Sequence, residues 1–176
     1  MPRKNVRPFK GMPMLHWPIL AAQRSKLFAE VVVSTDDDEI EHQATIAETH
    51  IHRRRLDDGS RGTQEIARDV LMDWPDATHA CVIYPCSPLL VPSDFERGWA
   101  VLQKPGALYA MSVQTDPLAD AGCFYWGLAE AFRVRAPLID SHTVMVPMPS
   151  NRVCDINTPE DWARAESMFD ALRRAA

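Results

Sequence analysis

Glycine is scarce in this chain, with 7 residues against 14 prolines, and Gly59 and Gly62 are the closest pair. No two glycines stand two apart as a GxGxxG turn needs, and no GxxxxGK[ST] loop occurs, so the two common glycine-built phosphate cradles are excluded. The four cysteines, Cys81, Cys86, Cys123 and Cys154, contain no CxxC pair, which speaks against a zinc site or a disulfide frame and for reduced, partly buried thiols. No apolar run approaches the roughly 20 residues needed to cross a bilayer, and the opening MPRKNVRPFKG carries no apolar signal segment. A cytoplasmic protein with no membrane partner is therefore expected. Positive charge is in deficit, 19 basic against 24 acidic side chains for a net −5, so there is no overall field to hold a nucleic-acid backbone and no nucleic-acid partner is expected.

What is present describes an ordinary soluble domain. Apolar residues at 46% and charged residues at 24% exclude a disordered chain, and 176 residues fit a single domain spanning 1–176. Glu30-Val31-Val32-Val33-Ser34 is a β-branched run that leads into polar Asp36-Asp37-Asp38-Glu39, a strand followed by a helix toward Ala47. Ile66, Val70 and Trp74 recur at intervals of four in a helix over Thr63 to Trp74, and Ala80 to Tyr84 is a buried strand stopped by Pro85. Ser93 or Asp94 can cap a helix through Leu102, and Ala107 to Val113 reads as a further strand. Two short strands follow, Thr143 to Val146 and Arg152 to Ile156. The last helix has a clear start: Thr158 as N-cap, Pro159 in the first turn and Asp161 three residues after the cap. Trp162, Ala165, Phe169 and Leu172 share a face of it that should pack on the sheet. Alternation of this kind implies an α/β sandwich.

Three places carry candidate chemistry. Arg3, Lys4, Arg7 and Lys10 stand together without an acid among the first ten residues, and Arg53-Arg54-Arg55 forms a second basic cluster in a loop between helices. Either suits a polyphosphate, although composition alone favours a solvated terminus and a solvated loop. Asp155 and Asn157 flank Ile156 at the end of a strand, where alternate residues share a face, so two oxygen-bearing side chains point the same way. They could hold a hard cation such as Mg²⁺ together with substrate phosphates, or satisfy backbone donors at a strand-to-helix turn. Asp120 to Gly127 sets Phe124-Tyr125-Trp126 between glycines, a sugar-binding wall or simply core.

Taken in order, Pro2-Arg3-Lys4-Asn5 with Arg7 to Met14, Val31 to Ile40, Gly62-Thr63-Gln64-Glu65-Ile66, Asp120 to Gly127 and Asp155 to Trp162 resemble the acylneuraminate cytidylyltransferases, the CMP-sialic acid synthetase family. The phrase Ala121-Gly122-Cys123-Phe124-Tyr125-Trp126-Gly127 favours its pseudaminic acid branch. The resemblance implies an α/β, three-layer sandwich with a mostly parallel sheet, a nucleotide-diphospho-sugar transferase-like (Rossmann-like) fold lacking its first strand. It implies transfer of CMP from CTP to a nine-carbon keto-acid sugar, pseudaminic acid first, with pyrophosphate released and Mg²⁺ as cofactor. By the same resemblance Lys4 and Asp155 are catalytic; Arg3, Lys4, Asn5 and Arg55 bind nucleotide; Phe124 and Tyr125 line the sugar pocket; and Asp155 and Asn157 are metal ligands.

The family pattern is not followed throughout. Its opening strand and glycine- and serine-containing phosphate turn precede the segment that begins here at Met1, and its long insertion after Val113, which serves dimerisation, shrinks to Gln114 to Ala119. Asn157 stands where the pattern usually has aspartate. Rival readings are a synthetase for N-acetylneuraminate or legionaminate, a catalytically impaired remnant that binds nucleotide or a partner, and an unrelated α/β binding domain. An uncovered sheet edge leads to the expectation of self-association, so a homo-oligomer is a further possible partner.

Overall fold

The structure is a computed structural model that describes residues 1–55 and 61–175, so Gly59 lies outside the described residues. The chain opens with a two-stranded ribbon, β1 (Pro8–Phe9) and β2 (Met12–Pro13), turned by Lys10 and Gly11 at φ 47° and 92°. Then come α1 (His16–Ser25), β3 (Val32–Thr35), α2 (Asp38–Ile46), β4 (His50–Arg53), α3 (Thr63–Asp73) and β5 (His79–Ile83). The second half holds α4 (Pro92–Leu102), β6 (Tyr109–Thr115), β7 (Leu118–Leu128), α5 (Ala129–Arg133), β8 (Thr143–Pro147), a 3-10 turn at Ser150–Arg152 and α6 (Pro159–Ala175).

Side-chain alternation along the strands sorts the core into two faces. On one face Phe124 and Trp126 of β7, Ala110 of β6 and Val146 of β8 pack beneath Ala21 and Ala22 of α1 and Phe95 and Leu102 of α4. On the other face Tyr109 meets Ala67 and Leu71 of α3 and Ala129, Ala131 and Phe132 around α5. Helices on both faces make the three layers expected of the α/β class. The sheet is mixed, however, and not mostly parallel. β3 with β4 and β6 with β8 are parallel, whereas β7 runs antiparallel to both neighbours in the order β5-β7-β6-β8. Long β7 follows β6 through a hairpin, and a hairpin connection imposes antiparallel pairing.

Four local expectations need correction. Arg152 to Ile156 is no strand: Arg152 closes the 3-10 turn and binds buried Asp94 at 2.5 Å, while Ile156 is sunk in the core, so the segment is pinned at both ends without a ladder. α6 does not pack on the sheet; its Trp162 and Phe169 meet Phe9 of the ribbon edge-on at 5.3 and 5.6 Å, and Phe169 meets Trp17 at 4.5 Å. Arg53 belongs not to a loop between helices but to the end of β4, whose polar His-Ile-His-Arg sequence becomes a strand by pairing with β3. Neither Ser93 nor Asp94 caps α4; the helix starts after Val91, with Pro92 first, and Asp94 reaches back to accept the Val91 N–H at 2.9 Å.

A bulge in β7 shapes the molecule's open face. Met111 pairs with Tyr125 but Val113 pairs with Asp120, so Ser112 alone opposes the residues between. The fully buried Ser112 hydroxyl accepts the Cys123 and Phe124 N–H groups at 3.2 and 3.0 Å, and Gly122 takes φ 58° at the bend. The second edges of β3 and β5 carry no ladder among the described residues. Open edges pair with other chains, so concentration-dependent self-association is expected in sedimentation; a monomer up to high concentration would contradict it.

Gly98 of α4 packs where a methyl does not fit. A Cβ there would lie 2.5 Å from Trp126 Cδ1 and 2.9 Å from Phe124 Cε2, and the Trp126 ring is itself stacked on Phe28 at 4.9 Å. Alanine gains about 1 kcal/mol of helix propensity over glycine, but overpacking a rigid aromatic cluster costs about 1–3 kcal/mol. Gly98→Ala is therefore expected to destabilise the chain by about 1 kcal/mol net in urea unfolding, opposite in sign to the same change on an exposed helix face.

Candidate functional site

In α/β folds ligands collect beyond the carboxyl ends of the parallel strands, and here the carboxyl ends of β3 and β5 both lead to the N-terminal turn. β3 runs out into Asp36 and Asp37, and Asp37 caps α2 by accepting the Glu39 and Ile40 N–H groups at 3.0 and 2.9 Å. β5 runs out into Tyr84-Pro85-Cys86, and the Cys86 thiol donates to Asn5 Oδ1 at 3.0 Å. A cavity of about 260 Å³ lies at the N-terminal turn beside α2, lined by Met1, Arg3, Lys4, Asn5, Val6 and Ile40.

Lys4 is the hub. Its Nζ donates to the Ile156 carbonyl at 2.8 Å and to Asn157 Oδ1 at 3.1 Å, and the Asn157 amide donates to Asp155 Oδ2 at 2.7 Å. Asp155 and Asn157 thus lie side by side, though not through strand alternation. The cause is buried Ile156, whose anchoring among Phe9, Met14 and Trp162 turns its two neighbours outward. The loop is held at its far side by the start of α6: the Asp161 carboxylate accepts the Asn157 and Thr158 N–H groups at 3.1 and 2.9 Å, and Thr158 Oγ accepts the Asp161 N–H at 3.1 Å. These bonds to its charged form hold the Asp161 carboxyl below the usual range. Among the described residues no three His, Cys, Asp or Glu cluster around a metal position. The Asn157 amide nitrogen faces Asp155 and its oxygen accepts from Lys4, so one carboxylate and one amide oxygen fit a hard divalent cation, with other ligands from substrate phosphates and water, once the amide turns over.

Arg3 stands apart from the expectation of a nucleotide contact. Its guanidinium is held by the Asp37 and Glu39 carboxylates. Hydrogen bonds to them raise its proton affinity, and the same contact lowers the Asp37 carboxyl. Its positive charge is thus balanced before any phosphate arrives. Of the basic triplet, Arg53 binds Asp38 and Glu41 at 2.6 and 2.7 Å and Arg54 binds Asp36 at 3.0 Å, whereas Arg55 follows them exposed at the same end of the sheet.

The two aromatics expected in the sugar pocket are split by strand alternation. Phe124 is fully buried beneath α4, 5.7 Å from the Phe95 ring, so it cannot line an open site. Tyr125 faces the other way and is buried too, 4% exposed with Met111 and Val113; it stands edge-on to Tyr84 at 5.8 Å and donates its hydroxyl to Asp120, so neither ring lines an open pocket. The Tyr84-Pro85-Cys86-Ser87-Pro88 segment resembles the family's loop after the strand with altered side chains, but the sequence assigned no role to Tyr84 or Cys86, which the structure places against Tyr125 and Asn5. All four cysteines are free.

Burial pushes the Cys86 thiol up to about 11, with Lys4 acting to lower it and Asp155 to raise it. Thiolate is the reacting form, so alkylation of Cys86 is expected to be slow at pH 8 and to rise about tenfold per pH unit toward pH 11. Lys4→Met should slow it further. Mass mapping of iodoacetamide adducts checks both, and fast labelling of Cys86 at pH 7 would contradict them.

The family model described as Cytidylyltransferase matches residues 1–117. The chain is 23% identical over 216 aligned positions to a pseudaminic acid cytidylyltransferase of Campylobacter jejuni, covering all of this chain and 93% of that protein. It is 32% identical over 115 positions to an N-acylneuraminate cytidylyltransferase of Oncorhynchus mykiss, covering 64% of this chain and 27% of that protein. The fold matches that of a CMP:2-keto-3-deoxy-manno-octonic acid synthetase solved with CTP, at a TM-score of 0.77 and 14% identity over 97% of this chain and 93% of the other.

Proposed function

The chain belongs to the cytidylyltransferase family and is an enzyme of that class, and from this premise we propose that it joins CMP from CTP to a nonulosonic acid, pseudaminic acid by preference, with release of pyrophosphate. The observation that carries the reading is the meeting of Lys4 from the N-terminal turn with Asn157 and the Ile156 carbonyl from the loop before α6. A cation and a pair of oxygen ligands, brought together over a separation of some 150 residues, make a place where a triphosphate can be neutralised and held.

In this reading the anomeric hydroxyl of the sugar attacks the α-phosphorus, the bond to the pyrophosphate oxygen breaks, and the hydroxyl proton is lost. Negative charge builds on the leaving pyrophosphate, and Lys4 is placed to meet it. Asn5 and exposed Arg55 hold the nucleotide. Arg3 acts by position: tied to Asp37 and Glu39, it fastens the N-terminal turn to α2 and so aims Lys4 at the 155–157 loop. Asp155 and Asn157 would hold Mg²⁺, which supplies Lewis-acid charge on the phosphates when bound. Phe124 and Tyr125, the latter 4% exposed, are both withdrawn from the sugar, and half-buried Tyr84, edge-on to Tyr125, is the aromatic left at the end of β5.

The 32% identity to an N-acylneuraminate cytidylyltransferase favours N-acetylneuraminic acid as the second candidate sugar. The test is CTP calorimetry with and without Mg²⁺, followed by pyrophosphate release with pseudaminic, N-acetylneuraminic and legionaminic acids in turn. Metal-dependent CTP binding with release on pseudaminic acid above the others supports the reading. Absence of CTP binding by folded protein overturns it.

A further inference from the structure

Asp94 carries a charge into the interior. It is fully buried at the start of α4, and both of its oxygens are taken: Oδ2 accepts the Val91 N–H at 2.9 Å and the Arg152 guanidinium at 2.5 Å, and Oδ1 accepts Arg97 at 2.7 Å. Arg152 is itself only 11% exposed, whereas Arg97 stays half-exposed. Burying such a pair adds little to stability, because desolvating two charges offsets most of their attraction, and apolar residues of similar volume often serve a fold as well. The place of the pair supplies a different reason for it.

The pair joins the two loops that meet at the Lys4 site. One is the loop after β5, residues 84–91, which α4 closes and whose Cys86 holds Asn5. The other begins at Arg152, reaches Asp155 three residues later, and goes on to the Ile156 carbonyl and the Asn157 side chain that hold Lys4. Apolar contact already packs the loops together, with Cys86 and Leu89 of the first in one cluster with Cys154 and Ile156 of the second. That contact is non-directional, so it does not fix how far one loop slides along the other. A charge-assisted hydrogen bond is short and directional, and the Asp94 carboxylate is tied to Val91 and Arg97 and cannot drift. Arg152 thus fixes where the segment before Asp155 starts, as Asp161 fixes where it ends.

We infer that Arg152, held by Asp94, is a positioning residue for the proposed transfer: it sets the register of the Asp155-Ile156-Asn157 loop against the Asn5 side of the site, and so the spacing at which Lys4 and Asp155 meet the nucleotide phosphates. It acts through three residues of chain and not by touching substrate. The inference rests on the proposed reaction at Lys4.

The test is a neutral pair. Asp94→Asn combined with Arg152→Met keeps an acceptor for the Val91 N–H and leaves no buried charge unpaired, so the thermal midpoint should stay near that of wild type. Misplacing a reacting group by about 1 Å costs up to about a hundredfold in rate. The double variant should accordingly lower kcat for pyrophosphate release about thirtyfold and raise the Mg²⁺ concentration for half-maximal activity about tenfold, with the KM for the sugar moving less than about twofold. Arg152→Lys, which keeps a charged donor to Asp94, should bring kcat back to within about fivefold of wild type. The Asn157 and Thr158 amides, both bonded to Asp161 in the wild type, should exchange hydrogen about tenfold faster in the double variant, with exchange in β6 and β7 unchanged.

Wild-type kcat and Mg²⁺ response in the folded double variant, or unchanged exchange at Asn157 and Thr158, overturns the positioning role while leaving the reaction in place. A loss of kcat that tracks a fallen thermal midpoint, with exchange faster throughout the sheet, makes the pair a stability element and overturns it as well. No pyrophosphate release by the wild-type protein overturns the proposed reaction itself, and the part assigned to Arg152 falls with it.

Discussion

Lys4→Met lowers kcat/KM for CMP transfer by two to three orders of magnitude and weakens CTP binding, with the fold intact. One well-placed donor to charge developing in a transition state is typically worth about 3 kcal/mol, and Lys4 is the partly buried cation that reaches the Ile156 carbonyl and the Asn157 side chain. Methionine keeps the length of the apolar stem, so the packing along it survives. The lost bond to the Ile156 carbonyl costs about 1 kcal/mol of stability, too little to unfold the chain or to imitate the kinetic loss. Lys4→Arg should recover little, because a planar fork cannot sit where a compact ammonium bridges two acceptors 2.8 and 3.1 Å away. Pyrophosphate release under saturating sugar, with CTP calorimetry alongside, reads both effects. A variant that binds and turns over CTP like wild type would remove Lys4 from the site.

Local signals told the truth where the cause is local. The Thr158-Pro159-Asp161 start of α6 is a matter of hydrogen bonds within four residues, and the structure has each of them. The strand and helix from Val32 to Ile46 and the helix from Thr63 were legible for the same reason: β-branched runs and fourfold apolar spacing need no partner to declare themselves. What failed was decided at a distance. β4 is polar and becomes a strand by pairing with β3, where His52 Nδ1 lies 2.9 Å from the Ser34 hydroxyl. Arg152 to Ile156 carries β-branched and apolar residues, yet an ion pair to Asp94 and the anchoring of Ile156 deny it a ladder. The destination of α6 depended on Phe9 and Trp17, more than 140 residues away in sequence, and no periodicity within the helix can name them.

The site divides along the same line. Lys4, Asn5, Asp155 and Asn157 were identified through order and resemblance, and the structure brings Lys4, Asp155 and Asn157 into one hydrogen-bonded set with Asn5 beside Cys86. Choosing Phe124 together with Tyr125 overlooked that neighbours on a strand face opposite ways, and here both faces are covered: Phe124 is core under α4, and Tyr125, 4% exposed, is core with Met111 and Val113. For Arg3 the deciding groups, Asp37 and Glu39, lie more than thirty residues away in an acidic run that sequence spacing ties only to its own helix.

Asp155→Asn is expected to remove the metal dependence of CTP binding and to reduce kcat/KM about a thousandfold. The site has few anionic oxygens. Asp155 is the carboxylate bonded to the Asn157 side chain beside Lys4, while the Asp161 carboxylate is taken up by the Asn157 and Thr158 N–H groups, so a hard cation here depends on Asp155 and substrate phosphates. The companion variant Asn157→Asp separates charge from geometry. It replaces the amide that donates to Asp155 at 2.7 Å with a second carboxylate at that distance, so without metal the pair repels and the thermal midpoint should fall. With Mg²⁺ and CTP present the same pair gains a ligand of full charge, so the midpoint should recover and the metal concentration for half-maximal activity should drop about tenfold. Together the two variants predict opposite shifts in a Mg²⁺ titration of CTP binding, Asp155→Asn abolishing the metal response and Asn157→Asp sharpening it. Equal, metal-independent losses in both would mean that the 155–157 loop serves Lys4 and the fold, and that the cation is held elsewhere on the nucleotide.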